Sequence, residues 1–289
     1  MRINTNTAAM NTYSQLTSAN ASKSSSLAKL SSGLRINKAG DDAAGLAISE
    51  KMKNQISGMN QASRNAQDGI SLIQTAEGGL TETHSILNRM RDLAVQAKND
   101  TNTSEDRGAI QKEMDSLTLE VDRIANQTEF NGKKLLKEGA AGEGSSFTFQ
   151  IGANKGQDIT LKVADMTAAS LKVGTVTDGV LDVADKLDVS TDTLSAADFD
   201  TVIGKLDDAI SSVSTERANL GATQNRLDHT VSNLATTKEN LSEANSRITD
   251  VDMAEEMMSF TKSNILSQAS TAMLAQANQM PQGVLQLLQ

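Results

Sequence analysis

The sequence predicts a mainly α protein, an elongated antiparallel helical bundle or coiled coil with a small β-hairpin region set between its helices. Three observations carry this. Apolar residues recur at every third or fourth position over long stretches. A single proline, Pro281, stands in 289 residues, where average usage gives about fourteen, so helices can run far without a breaker. One internal stretch abandons that spacing for strict alternation.

In chain order, Ala9, Tyr13, Leu16, Asn20, Lys23, Leu27, Leu30 and Leu34 alternate by fours and threes, a seam that is apolar except at Asn20 and Lys23. A second run passes through Ile48, Met52, Ile56, Met59, Ala62, Ala66, Ile70, Ile73, Ala76 and Leu80, then Leu87, Met90, Ala94 and Ala97, with Thr83 filling the gap. A helix over that run is on the order of 80 Å long. Ile110, Met114, Leu117, Val121 and Ile124 form a third run. In the fourth, the helix-packing seam Leu206, Val213, Leu220, Leu227, Leu234, Leu241 and Ile248 repeats every seven residues, while Arg217, Gln224, Lys238 and Asn245 make its alternate positions polar. A repeat of about 3.5 residues keeps one seam facing a partner helix and implies a left-handed supercoil.

Between the third and fourth runs Phe147, Phe149 and Ile151 alternate with polar residues, as do Ile159, Leu161 and Val163. The turn-rich stretch between them makes this a β-hairpin. Residues 164–200 carry Asp178-Gly179 as a turn signal and allow a second hairpin or irregular structure.

Composition removes most chemistry. There is no cysteine, hence no disulfide, thiolate nucleophile or Cys-ligated zinc. A net charge of -9 disfavours nucleic acid as a partner. No stretch reaches the length of a membrane span, and the N-terminus lacks the apolar core of a secretory signal. Residues 1–40 hold five basic and no acidic residues, and Ser263 to Gln289 holds no charge at all, so the negative charge sits in the middle. The ends are built to be buried among protein, which a transit-peptide reading of the Ser-rich N-terminus does not explain.

Candidate catalytic features fail one by one. Asp41 and Asp42 precede a helical pattern and are read as N-capping residues rather than a metal or acid–base pair. Gly142-Glu143-Gly144 lacks the third glycine of a dinucleotide fingerprint. His84 and His229 lie on separate helical stretches, and Met253, Met257 and Met258 are read as packing residues rather than a peptide-binding face. No catalytic, cofactor or metal residue is assigned.

The stretches KLSSGLRINKAGDDAAGLAISEKM (Lys29 to Met52), DGISLIQTAEGGLTET (Asp68 to Thr83), RMRDLAVQA (Arg89 to Ala97), TEFNGKKLL (Thr128 to Leu136) and FQIGAN (Phe149 to Asn154) resemble the N-terminal half of bacterial flagellins. GATQNRLDHTVSNL (Gly221 to Leu234), SRITDVDMAEEM (Ser246 to Met257) and SQASTAMLAQANQMPQGVLQLL (Ser267 to Leu288) resemble the C-terminal half. With only about forty residues between the recognisable halves after Val163, this is a short form without large variable outer domains.

The resemblance implies that the N- and C-terminal helices pair, 1–42 with 251–289 forming a filament-core domain and 43–250 a helical bundle with its β region at about 140–200. It implies a self-assembling subunit of the extracellular flagellar filament, exported uncleaved by the flagellar type III apparatus. The implied partners are further copies of the chain, an export chaperone, and filament-cap and hook-junction proteins. Leu16, Leu27, Leu30, Leu34, Ile265 and Leu285 are the expected assembly residues of the terminal helices. Toll-like receptor five is a further expected partner of the monomer, through Arg89, Leu93 and Glu113, although Met90 and Asp92 depart from the family's usual Ile or Val and Glu. A hook-filament junction protein, a secreted helical adhesin and an enzyme are the competing readings, the last leaving no room for a catalytic insert.

Overall fold

The computed structural model describes residues 6–137, 145–177, 180–182, 187–190 and 196–287, with side chains of the last helix described as far as Gln279. Helices α1 (Thr7–Ser32), α2 (Ala43–Ala97), α3 (Ser104–Gln127), α4 (Ala196–Thr249) and α5 (Met253–Leu287) carry most of the described chain, with small antiparallel β-hairpins between α3 and α4. The chain divides into two compact units, a terminal unit of residues 1–56 with 238–289 and a central unit of residues 57–237. That division lies within α2 and α4, whereas charge and resemblance draw it at Asp42 and Val251.

In the terminal unit α1 and α5 run antiparallel. Lys29 faces Glu256 at 3.9 Å, Lys23 Nζ donates to Asn264 Oδ1 at 2.9 Å, and the Ser267 hydroxyl donates to Asn20 Oδ1 at 2.8 Å. Asn6 closes the far end twice: its Oδ1 caps α1 by accepting from the Ala9 N–H, and its Nδ2 donates to the Ala277 carbonyl at 2.8 Å. Helix α1 stops at Gly33, where φ is 71° and the N–H returns to the Lys29 carbonyl, a left-handed cap that glycine adopts without steric cost.

The connections beside this cap are stitched together. Leu34 and Asp250 form an antiparallel bridge, the Arg35 N–H donates to the Thr249 carbonyl at 2.6 Å, and the Val251 N–H donates to the Gly33 carbonyl at 3.1 Å. The Arg35 guanidinium adds a bond to the Ile248 carbonyl at 2.7 Å. The two aspartates before α2 divide their work. Asp42 caps the helix by accepting the Gly45 N–H at 2.8 Å, while Asp41 accepts the N–H groups of Asn37 and Lys38 and closes the preceding turn. A Cβ on Gly45 would lie 2.7 Å from Ile36 Cδ1, so the small residue lets Ile36 tuck beneath the turn. Ser49, fully buried, donates to Asn245 and ties the first turns of α2 to the last of α4.

In the central unit the ion pairs Arg91–Asp207, at 2.6 Å, and Lys98–Asp200 mark α2 and α4 as antiparallel, since seven residues back along one helix is seven forward along the other. Glu77–Arg217, at 3.6 Å, keeps the antiparallel sense one helical turn away from that register. Helix α3 begins with a capping box, the Thr103 hydroxyl accepting the Asp106 N–H while the Asp106 carboxylate accepts the Thr103 N–H. The core runs along all three helices through Ile73, Leu80, Leu87, Met90, Met114, Val121, Leu206, Val213, Leu220 and Leu227.

The β elements cap this bundle. Strands β3 (Ser145–Gln150) and β4 (Asp158–Val163) pair with Phe147 opposite Leu161 and Phe149 opposite Ile159, and Phe149 packs on α2 where Gly69 leaves room for its ring. Alternation along β4 puts Ile159, Leu161 and Val163 inside. A smaller hairpin, β1 (Glu129–Phe130) with β2 (Lys133–Lys134), turns at Asn131-Gly132, both with positive φ, the backbone a two-residue type I′ turn requires. In the stretch the sequence left open, β5 (Val176–Thr177) pairs with β6 (Val180–Leu181); Asp178-Gly179 and Gly142-Glu143-Gly144 lie outside the described residues. Buried Gln111 on α3 fixes the segment after β6, donating to the Leu187 carbonyl at 3.0 Å and accepting the Val189 N–H at 2.6 Å.

Candidate assembly surface

The paired terminal helices meet through small side chains. Among the described side chains, Ala19 and Ser26 on α1, and Ser263 and Ala277 on α5, are the buried residues of the pair. The observed inner positions keep Ala9, Leu16, Lys23 and Leu30 of the sequence seam but take Thr12, Ala19 and Ser26 where that seam has Tyr13, Asn20 and Leu27. Small residues win these positions because they allow two helix axes to approach closely. Asn20 and Lys23, apparent interruptions of an apolar seam, make the cross-helix hydrogen bonds that set the pairing register.

The consequence is a surface with its bulk turned outward. Tyr13 is 63% and Leu27 55% exposed, and Met10, Met253, Met257, Met258, Ile265, Leu266 and Met273 are exposed as well. On α5, Met257, Met258, Thr261, Lys262, Ile265 and Leu266 line an open cleft of about 500 Å³. Leu16, Leu30 and Leu34 are half-buried, and the side chain of Leu285 lies outside the described residues. Helix α5 carries acidic residues in its first turn and no basic residue in its last, so α5 offers apolar and neutral polar groups along most of its length.

The seven-residue repeat of α4 behaves differently along its length. Leu206, Val213, Leu220 and Leu227 are fully buried in the central unit, whereas Leu234, Leu241 and Ile248 are half-buried. The same change occurs on α2, where the seam from Met59 onward is buried except at half-buried Ile70, but Met52 and Ile56 are half-buried and Ile48 is exposed.

Of the three residues through which the resemblance implies receptor contact, the structure brings two together on the surface. Arg89 donates from Nε and Nη2 to the same Glu113 oxygen, at 3.0 and 2.7 Å, and both side chains are about half exposed. Leu93 is only 2% exposed and belongs to the core between the helices. This places Leu93 beneath the surface that the resemblance implies, so a partner on this face meets the Arg89–Glu113 pair.

Nothing among the described residues assembles a reactive centre. His229 is exposed on α4, and the buried Nδ1 of His84 has no hydrogen-bond partner among the described residues. Among those residues no three His, Asp or Glu side chains group as metal ligands. Shifted carboxyls have local structural causes. The Thr103 hydroxyl and N–H hold Asp106 below the usual range, and the N–H groups of Lys38 and Asn37 do the same for Asp41. Burial pushes Asp122 up, against Lys137 nearby.

Comparison with known proteins agrees with an assembling helical subunit. Residues 3–141 match the bacterial flagellin N-terminal helical region, and residues 203–288 match the C-terminal helical region. The chain is 54% identical to a flagellin of Bacillus subtilis and 50% identical to one of Halalkalibacterium halodurans, each over 100% of both chains. It is 48% identical, again over 100% of both, to the flagellar filament 33 kDa core protein of Treponema phagedenis. With both helical regions matched and full-length relatives at half identity, the chain belongs to the bacterial flagellin family.

Proposed function

We propose that this chain, a structural subunit of the extracellular bacterial flagellar filament and not an enzyme, polymerises by burying the outward apolar faces of α1 and α5 against the same helices of neighbouring copies. The observation that carries this is the inverted packing of the terminal pair, small residues inside and Tyr13, Leu27, Met258 and Ile265 outside. Ordering the backbone costs roughly 1 to 2 kcal/mol per residue, and a seam of Ala and Ser buries too little apolar area to offset that within one chain. Folding of the ends is therefore coupled to assembly, with Asn, Ser and Gln side chains sharing hydrogen bonds between copies without stranding charge.

The same reading extends to the route and partners. The chain is exported uncleaved by the flagellar type III apparatus, held before assembly by an export chaperone, and placed between hook-junction and cap proteins. As a monomer it is recognised by Toll-like receptor five through the face bearing Arg89 and Glu113, with Leu93 supporting that face from below. Family resemblance supports these roles, and the exposed, mutually oriented Arg89–Glu113 pair supplies a surface on which charge-assisted contacts can form.

Deleting residues 1–40 and 251–289 tests the central claim. The expected product is a helical, cooperatively melting core that adds to no filament seed under electron microscopy. A truncated core that elongates seeds overturns it.

A further inference from the structure

The methionines of this chain are sorted by unit. Met10, Met253, Met257, Met258 and Met273, all on α1 or α5, are exposed, with Met258 at 68%. Met59, Met90, Met114 and Met166, all in the central unit, are buried. Met52 in the terminal unit is half-buried, and the side chains of Met1 and Met280 lie outside the described residues. A thioether is soft, apolar and adaptable, which suits a face that must repack against a neighbour. It is also the apolar side chain most readily made polar by a two-electron oxidant.

We propose that the five exposed methionines make polymerisation itself sensitive to peroxide: their oxidation in the monomer blocks assembly while leaving the central unit folded, and assembly in turn shields them. In the modifying step a methionine sulfur lone pair attacks one oxygen of hydrogen peroxide. The S–O bond forms, the O–O bond breaks, and the departing oxygen leaves as water after proton transfer, so sulfur loses two electrons and the peroxide gains them. Each product is a sulfoxide, a strong hydrogen-bond acceptor in place of an apolar thioether. Buried between helices it is left unsatisfied, which is costly. Met257 and Met258 wall one cleft with Ile265 and Leu266, beside Thr261 and Lys262, so oxidation there sets sulfoxide oxygens into a mostly apolar lining. The central core does not change, because water and peroxide do not reach Met90 or Met114.

This inference rests on the assembly reading above, and the experiment separates the two. Full-length monomer is treated with hydrogen peroxide, sulfoxides are mapped by mass spectrometry, and growth on filament seeds and thermal melting are measured before and after. The five exposed methionines should oxidise at least about tenfold faster than the four buried ones. Oxidised monomer should elongate seeds at least about tenfold more slowly, with the main melting transition unmoved, and methionine sulfoxide reductase should restore growth. In a variant with all five changed to leucine (Met10→Leu, Met253→Leu, Met257→Leu, Met258→Leu, Met273→Leu), whatever its own rate of growth on seeds, peroxide treatment should no longer change that rate. Monomer that carries the five sulfoxides and still elongates at the untreated rate overturns the inference and leaves the assembly reading standing. Equal oxidation of the five sites in filament and monomer overturns both, since the faces would then be uncovered after assembly.

Discussion

The terminal pair and the central bundle use the same heptad spacing in opposite ways. In the central unit the large apolar residues of each repeat point inward, so that Leu206, Val213, Leu220 and Leu227 are fully buried in one core with residues of α2, α3 and the β3–β4 hairpin. In the terminal pair Ala19, Ser26 and Ser263 point inward, and Leu27, Ile265 and Leu266 face out. One pattern completes a core within a chain; the other leaves its large side chains at the surface, where the proposed assembly would cover them. Apolar periodicity therefore identifies helices that pack, but residue size along the seam decides with whom.

The comparison breaks most easily at its strongest point. Leu227 is fully buried, with Cδ1 within 3.4 Å of where a Cβ on Gly69 would stand. Leu227→Ala should lower stability by roughly 2 to 5 kcal/mol, through lost transfer energy plus the cavity left behind. Thermal or urea melting of the monomer measures it, and an unmoved midpoint means the central seam is not a core.

The outward residues should give the reverse result. Leu27→Ser with Ile265→Ser should change monomer stability by no more than about 0.5 kcal/mol each, as surface substitutions do, and yet stop elongation of seeds. A loss of monomer stability like that of Leu227→Ala would show that these side chains already belong to an intramolecular core, and the contrast between the units would vanish.

Sequence alone carried the helices, the β3–β4 hairpin and the buried half of the α4 seam, because proline-free heptads and strict alternation are strong local signals. It misplaced one edge of the α1 seam by a single residue, choosing Tyr13, Asn20 and Leu27 over Thr12, Ala19 and Ser26. A rule that seeks large apolar residues at a seam cannot see a close helix contact built from small ones. The β1–β2 hairpin went unread although Asn131-Gly132 is the strongest turn signal for it, since two-residue strands give no alternation to notice. The resemblance offers Leu93 as a contact residue while its place in the sequence equally allows inter-helix packing, and its 2% exposure puts the side chain in the core.

The Arg89–Glu113 pair offers a smaller effect. Both side chains are about half exposed, so the ion pair contributes only about 0.2 to 1 kcal/mol. Arg89→Ala should therefore leave the melting curve almost unchanged while reducing receptor signalling by monomer. Leu93→Ala should reduce signalling only together with stability, because it opens a cavity in the bundle. Signalling by folded Arg89→Ala equal to that of the unsubstituted chain would remove this face as the recognition site.

The smallest expected effect separates the two units by pH. Asp41 closes a turn in the terminal unit and Asp106 completes the capping box of α3 in the central unit, and in both the hydrogen bonds hold the folded-state carboxyl below its usual range. A carboxyl whose folded value lies below its unfolded one adds stability that is in place above about pH 4 and disappears as pH falls through the folded value. Both groups are fully exposed, so each contribution is slight, and what distinguishes them is where it registers. Asp106→Asn should lower the main melting transition at neutral pH, with the difference from the unsubstituted chain closing in acid. On the proposal that the terminal unit folds with assembly and not with the central core, Asp41→Asn should leave that transition in place at every pH. Its effect should instead appear in the assembled state, as filaments that dissociate at lower temperature at neutral pH. If Asp41→Asn shifted the monomer's main transition as Asp106→Asn does, the two units would be melting as one, and the terminal helices would already be folded before any second copy arrives.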